Sequence, residues 1–435
     1  MVWLRLNDMK AKSKPITIAN DHDAALSAST HALGWMFFAN VVGVLLASFL
    51  LFPKLGLLLG EWTYGRWVPL HLNLHLYGWV SMPLIGALFY TYRVHETSVR
   101  NFARPVVWLW SMALVIGCGA WLSGVSSGKI FLDWWGLACY LFIAVMIGLW
   151  ALLAVAWWQR RSEAGNRLRI LGLLGLLPVP VMLYFATRPD LYPPVNPDTG
   201  GPTGASLLGS TLSILFLLLI LPMMCHCQKL DGRGRWMKLC WIAFGAEILL
   251  VVLMKQGNSS HHEMQQILGL GSLMIWIPLM PLYLKSWQWR VGVARWRNAT
   301  LAWLLLLIIT GWMTFLPGWL DHLKFTNGLV AHSHLAMAGF CSGFLMLLMG
   351  QMLPENYSRV LCQKREFSFW QSAVVGYVLL MWFSGWKEGN DAGFVIMQGD
   401  GLVKIYSLRL LCGLVMLWAS FRWWIGLIQQ TNHES

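Results

Sequence analysis

Two histidines two residues apart, in Ala331-His332-Ser333-His334, are the sharpest chemical signal in this sequence. On a helix each residue advances about 100°, so the two imidazoles point about 200° apart. They cannot share one small metal ion. Each can face a different large planar cofactor across the helix, and histidine is a usual axial ligand of heme iron. A six-coordinate heme needs a second imidazole from another helix. His71 is the candidate, with His75 as the spare, because residues four apart share a helix face. Adjacent His261 and His262 suit a small ion instead, since imidazole binds copper, iron and zinc.

These residues must be positioned by membrane helices. The chain has 435 residues, 57% hydrophobic and only 12% charged, with a mean hydropathy of +0.56. A soluble domain carries about twice that charge. Apolar runs read as twelve transmembrane helices at 31–59, 67–92, 105–124, 132–158, 168–187, 205–226, 237–256, 263–284, 299–318, 328–352, 368–386 and 402–427. Each is long enough for a hydrocarbon core of about 30 Å. The fifth run is interrupted by Pro178 and Pro180. The fold class is therefore all-α and integral to the membrane, with lipid as its solvent. One membrane domain covers 31–428, between tails at 1–30 and 429–435. No cleavable signal and no internal repeat stand out.

The net charge of +13 would suggest nucleic acid in a soluble protein. Here the basic residues sit in short loops, where they orient a membrane protein, and no nucleic-acid partner is expected. The N-terminus, alternate loops and the C-terminal end hold 23 of the 32 Lys and Arg residues. That bias predicts a bacterial inner-membrane protein with both termini cytoplasmic. The eight cysteines are scattered, mostly inside apolar runs, and form no disulfide framework. Cys225-His226-Cys227 wraps around a helix end and reads as packing.

With that orientation, seven of the twelve histidines lie at or near the outer side: His71, His75, His261, His262, His322, His332 and His334. Ionisable side chains within a membrane are costly and point to function. Three distant stretches thus offer imidazoles at one depth. Glu247, mid-span seven, is the clearest intramembrane carboxylate; it is either a proton relay or a hydrogen-bonded structural acid. Arg409 is either a partner for a heme propionate, which suits guanidinium, or a boundary anchor.

The arrangement resembles subunit I of the heme–copper oxidases over nearly the whole chain. It is most similar to the cbb-type cytochrome c oxidases, with nitric oxide reductases as cousins. Pro69-Leu70-His71-Leu72-Asn73 is similar to the family's low-spin heme motif, and Val330-Ala331-His332-Ser333-His334 to its helix-ten motif. Met381-Trp382 with Gly385, and Tyr406 through Arg409, are similar to its last two helices. The resemblance implies His71 and His334 as axial ligands of a low-spin heme and His332 as proximal ligand of a high-spin heme, both of the b type. It implies His261 and His262 as two ligands of a copper ion.

Two positions depart from the family. Its third metal ligand is a histidine early on span six, where this chain has Ser210. His226 lies about 24 Å further along that helix. The active-site tyrosine six residues before the histidine pair is here Lys255, and the other tyrosine position is Ile214. Two imidazoles bind copper weakly unless Ser210 or water completes the shell. Lys255 beside them disfavours a cation and offers a hydrogen bond to an oxyanion; alternatively it only snorkels to the outer boundary.

The implied function is that of a membrane di-heme oxidoreductase. Electrons would come from a periplasmic donor through the His71/His334 heme to the His332 heme, which reduces oxygen by family default. No Cys-x-x-Cys-His motif exists in the chain, so a separate electron-entry subunit of cytochrome c or cupredoxin type is expected. Rival readings are nitric oxide reduction, a copper-less electron-transfer cytochrome b, a non-enzymatic heme or copper protein for nitric oxide tolerance, and a secondary transporter. Transport predicts inverted repeats and broken helices at the midplane, and neither pattern stands out.

Overall fold

The computed structural model describes residues 23–129, 131–163, 165–194, 207–254, 263–323, 326–391, 393–396 and 400–434. The apolar runs fold as helices because only a helix satisfies its own backbone in lipid over such lengths. The helices are α1 (Asp23–Leu51), α2 (Tyr64–Thr91), α3 (Arg100–Leu122), α4 (Gly136–Gln159), α5 (Asn166–Thr187), α6 (Leu208–Met224), α7 (Gly234–Leu253), α8 (Met264–Leu284), α9 (Val291–Met313), α10 (Asn327–Met352), α11 (Glu355–Asn390) and α12 (Gly401–His433). Among the described residues, eleven are long and apolar enough to cross a membrane; α6 is shorter. The chain is thus an all-helical protein of multi-pass membrane character.

Two details differ from the hydropathy reading, and one agrees. α1 begins at Asp23, inside the stretch 1–30 expected to be a tail, and residues 1–22 lie outside the described residues. The last helix continues to Glu434, through the other expected tail. The C-terminal extension is polar and continues a helix already nucleated, whereas the N-terminal one brings Ala25, Leu26 and Ala28 into the core. α5 is interrupted between Leu176 and Val179, at Pro178, as its prolines require.

α10 and α2 form the centre. In their most apolar windows 72% and 61% of residues are buried, against 17% for α12. α1 packs on α2 and α12, α10 on α9 and α11, and α2 meets α10. The two central helices carry His71, His75, His332 and His334, so packing places those residues inside the protein.

An internal repeat relates two helix pairs, α1–α2 and α9–α10. Trp35 and Gly43 on α1 have the spacing of Trp303 and Gly311 on α9. His71, Gly78 and Ser81 on α2 have the spacing of His332, Gly339 and Ser342 on α10. Structure follows sequence at each position. A wide π-helical stretch covers Leu74–Val80 in one pair and Leu335–Cys341 in the other. Such a turn disturbs the i−4 ladder. In each copy the serine hydroxyl donates to the carbonyl five residues back, Ser81 to Leu76 at 2.9 Å and Ser342 to Met337 at 3.0 Å. The two segments meet where the Trp79 indole N–H donates to Ser342 Oγ at 3.0 Å. The repeat escapes inspection of the sequence because its matching positions are few and widely spaced.

The glycines permit this close approach. A Cβ on Gly78 would lie 2.6 Å from Trp35, and one on Gly339 would lie 2.6 Å from Trp303. Neither indole is free to retreat, since Trp35 donates to Ser111 at 3.0 Å and Trp303 to Gln371 at 2.7 Å. Gly339→Ala is therefore expected to destabilise the protein by about 1–3 kcal/mol, the usual cost of overpacking. Gly119→Ala, where no atom stands within 4 Å, serves as the control and should leave stability unchanged or raise it. Thermal unfolding in detergent measures both.

Candidate functional site

His71 lies two turns into α2, and its Nδ1 is 2.8 Å from the Ala39 carbonyl of α1. That approach is possible because α1 carries Gly43 there; a Cβ would stand 2.7 Å from His71 Cε1. His334 bonds within its own helix, with Nδ1 2.9 Å from the Val330 carbonyl. The phenol ring of Tyr377, on α11, stacks on it with centroids 4.1 Å apart and planes at 24°. His332 turns the other way. Its Nδ1 is 3.4 Å from Thr310 Oγ1 on α9, beside Gly311. His332 and His334 thus face different neighbours, α9 and α11, as the two-residue spacing predicts.

These partners fix the state of each imidazole. A carbonyl oxygen only accepts, so Nδ1 of His71 and of His334 must carry the proton. The Thr310 hydroxyl donates its own hydrogen to the Leu306 carbonyl at 2.7 Å, which leaves its oxygen to accept from His332. All three rings therefore hold Nδ1–H and present the lone pair of Nε2. This is the arrangement by which an outer partner orients a metal-ligating histidine. Each of the three rings is half-buried among the helices.

His71, His75 and His334 come together. His71 and His75 rings meet edge to face, with centroids 4.8 Å apart. His334 lies close enough to interact electrostatically with both. Arg409 of α12 reaches the same group, acting on His71 and His334. Its guanidinium lies over the rings of Tyr377 and Tyr406, at 5.5 and 5.9 Å, and donates from Nη1 to Asn327 Oδ1 at 3.4 Å. Among the described residues, Arg409 Nε is buried without an acceptor. A buried guanidinium N–H calls for an acceptor, and a carboxylate is the best match. A heme fits this donor set: imidazoles presenting Nε2 and an unfilled guanidinium donor suited to a propionate.

Asn327 starts α10 and is itself held. Its backbone N–H donates to Glu388 Oε2 at 2.8 Å and its amide to Glu388 Oε1 at 2.5 Å. Ser384 Oγ donates to the same carboxylate at 2.7 Å. The chain Glu388, Asn327, Arg409 therefore aims the guanidinium from α11 and α10. The sequence reading contained none of Thr310, Tyr377, Asn327 or Glu388. The spacing of Trp303 and Gly311 against Trp35 and Gly43 is the one signal in the sequence that could have pointed to α9.

The other predicted residues are not gathered there. Glu247 is buried between α7 and α8, where its carboxylate accepts from Ser272 Oγ at 2.7 Å. Ser210 is exposed on the first turn of α6. Lys255, His261 and His262 lie outside the described residues. Among the described residues, no three His, Cys, Asp or Glu side chains are grouped to hold a metal ion. His322 is half-buried rather than solvent-exposed, bonded to Gly318 and stacked on Trp386 with centroids 5.8 Å apart. His226 packs on the Tyr90 ring at 4.7 Å, in keeping with a packing role.

No family model matches the chain, and no curated protein sequence matches it.

Proposed function

We propose that the chain is the twelve-helix membrane subunit of a di-heme oxidoreductase of heme–copper oxidase type, with both termini on the cytoplasmic side of a bacterial inner membrane. It takes electrons from a separate donor subunit and delivers them to a small ligand, oxygen by the resemblance described above. The observation that carries this reading is the shared state of three imidazoles. His71, His334 and His332 each have Nδ1 engaged and Nε2 presented, and the last two lie on opposite faces of α10.

Bound heme supplies one-electron transfer and, where an axial position stays open, binding of a small ligand. The protein does the rest. His71 and His334 would hold one heme between α2 and α10, their rings fixed by the Ala39 and Val330 carbonyls. His332 would hold a second from one side, its ring turned by Thr310. Arg409 would bind a carboxylate of the first. The apolar helices around the rings exclude water, which strengthens each of these charge contacts. Glu247 and Ser272 hold a proton-exchangeable pair between α7 and α8, a proton path in this reading.

A second reading is a copper-less electron-transfer or nitric oxide-reducing subunit. It rests on Ser210 and Lys255, which stand where the family has a metal ligand and a tyrosine. One measurement separates the readings: heme and metal content of the purified protein, taken with its redox spectra. Two hemes and one copper per chain support the oxidase. Two hemes without copper support the second reading. A protein that binds no heme refutes both.

A further inference from the structure

We propose that His75 is a second axial-ligand residue for the iron opposite His334, so that this centre exchanges His71 for His75. The inference rests on the heme reading above and gives His75, the spare of the sequence pattern, a role of its own beside His71. The exchange breaks one iron–nitrogen bond, to His71 Nε2, and forms another, to His75. No electron or proton changes hands.

Three observations carry it. The first is placement. His71 and His75 are four residues apart on one helix, their rings 4.8 Å apart, and both lie within electrostatic range of His334. On α10 the two histidines are two apart and face different neighbours; on α2 they face the same space. The second is bonding. His71 is tethered to Ala39, whereas the half-buried His75 makes no hydrogen bond among the described residues. The third is the repeat. His75 sits in the π-helical stretch Leu74–Val80, and its counterpart in Leu335–Cys341 is Ala336. The wide turn therefore stands without an imidazole at that position, and His75 is not there to build it.

The test uses the purified, heme-loaded protein and reads coordination by electron paramagnetic resonance, absorption spectra and carbon monoxide binding. In His71→Ala, the centre is expected to stay six-coordinate and low-spin with a changed signal, and carbon monoxide uptake should match the wild type. In His71→Ala/His75→Ala it should become high-spin and take up one further carbon monoxide per chain. Added imidazole should restore the low-spin form there, which shows that the double variant is folded. If His71→Ala alone is high-spin and binds the extra carbon monoxide, and removing His75 changes nothing more, the proposal is overturned. Should His71→Ala fail to assemble, His71→Gly assembled with imidazole and then dialysed answers the same question by the same two outcomes. A wild-type protein without heme would instead sink the heme reading itself.

Discussion

In the di-heme arrangement proposed above, replacing His332 with alanine is expected to remove one heme and leave the other in place. The reason is geometric. His332 faces Thr310 and Gly311 on α9, whereas His334 faces Tyr377 on α11, so the two rings serve opposite sides of α10. Loss of the His332 imidazole takes away the sole described ligand on its side. The low-spin spectrum of the His71/His334 centre should persist, while carbon monoxide binding and turnover fall to background. Thr310→Val is the milder companion. It keeps the imidazole but removes the acceptor that holds the proton on Nδ1, and such an orienting partner is worth about 10–100-fold in affinity or activity. Heme content per chain and carbon monoxide difference spectra read both variants. Equal loss of both hemes in His332→Ala would mean that the two rings share one site, against the geometry of α10.

What could be read from the sequence follows from which interactions are local. Apolar length is local, so the helices were legible. The opposed faces of His332 and His334 follow from helix pitch alone, and the contacts to α9 and α11 agree. The partners of those rings were not legible. Thr310 matters only because α9 packs beside α10, and Asn327 only because Glu388 on α11 reaches the start of α10. Hydropathy contains no term for such contacts. Gly43 is a similar case: within α1 it is an ordinary helical glycine, and its meaning appears only when His71 Cε1 stands where a Cβ would be. The repeat of α1–α2 in α9–α10 shows how both kinds of information combine. Two equal spacings, Trp to Gly on one helix and His to Gly to Ser on the next, are unremarkable separately. Together they specify the same helix pair twice, with the same wide turn after the histidine.

Removing the charge of Arg409 is expected to lower the midpoint potential of one heme and spare the other. The guanidinium lies over the Tyr377 ring that stacks on His334, whereas His332 faces Thr310 on α9. Reduction adds an electron, so a nearby positive charge favours the reduced form and its removal disfavours it. At an effective dielectric constant of about 20 and a separation of about 5–10 Å, one charge is worth about 2–3 kcal/mol, or on the order of 100 mV for one electron. Arg409→Gln should therefore shift the low-spin centre down by about 50–100 mV once solvent screening is allowed for. Glu388→Gln provides the sign test. It removes a negative charge from the same chain of contacts, so it should move the same potential upward, while also loosening Asn327 and the guanidinium it holds. Spectroelectrochemical titration resolves the two hemes by their different spectra. Opposite shifts at the low-spin heme, with the His332 heme unmoved, would place Arg409 and Glu388 in one electrostatic unit around the His71/His334 pair. No shift in either variant would leave Arg409 as an anchor at the membrane boundary, its buried Nε explained by something other than a propionate.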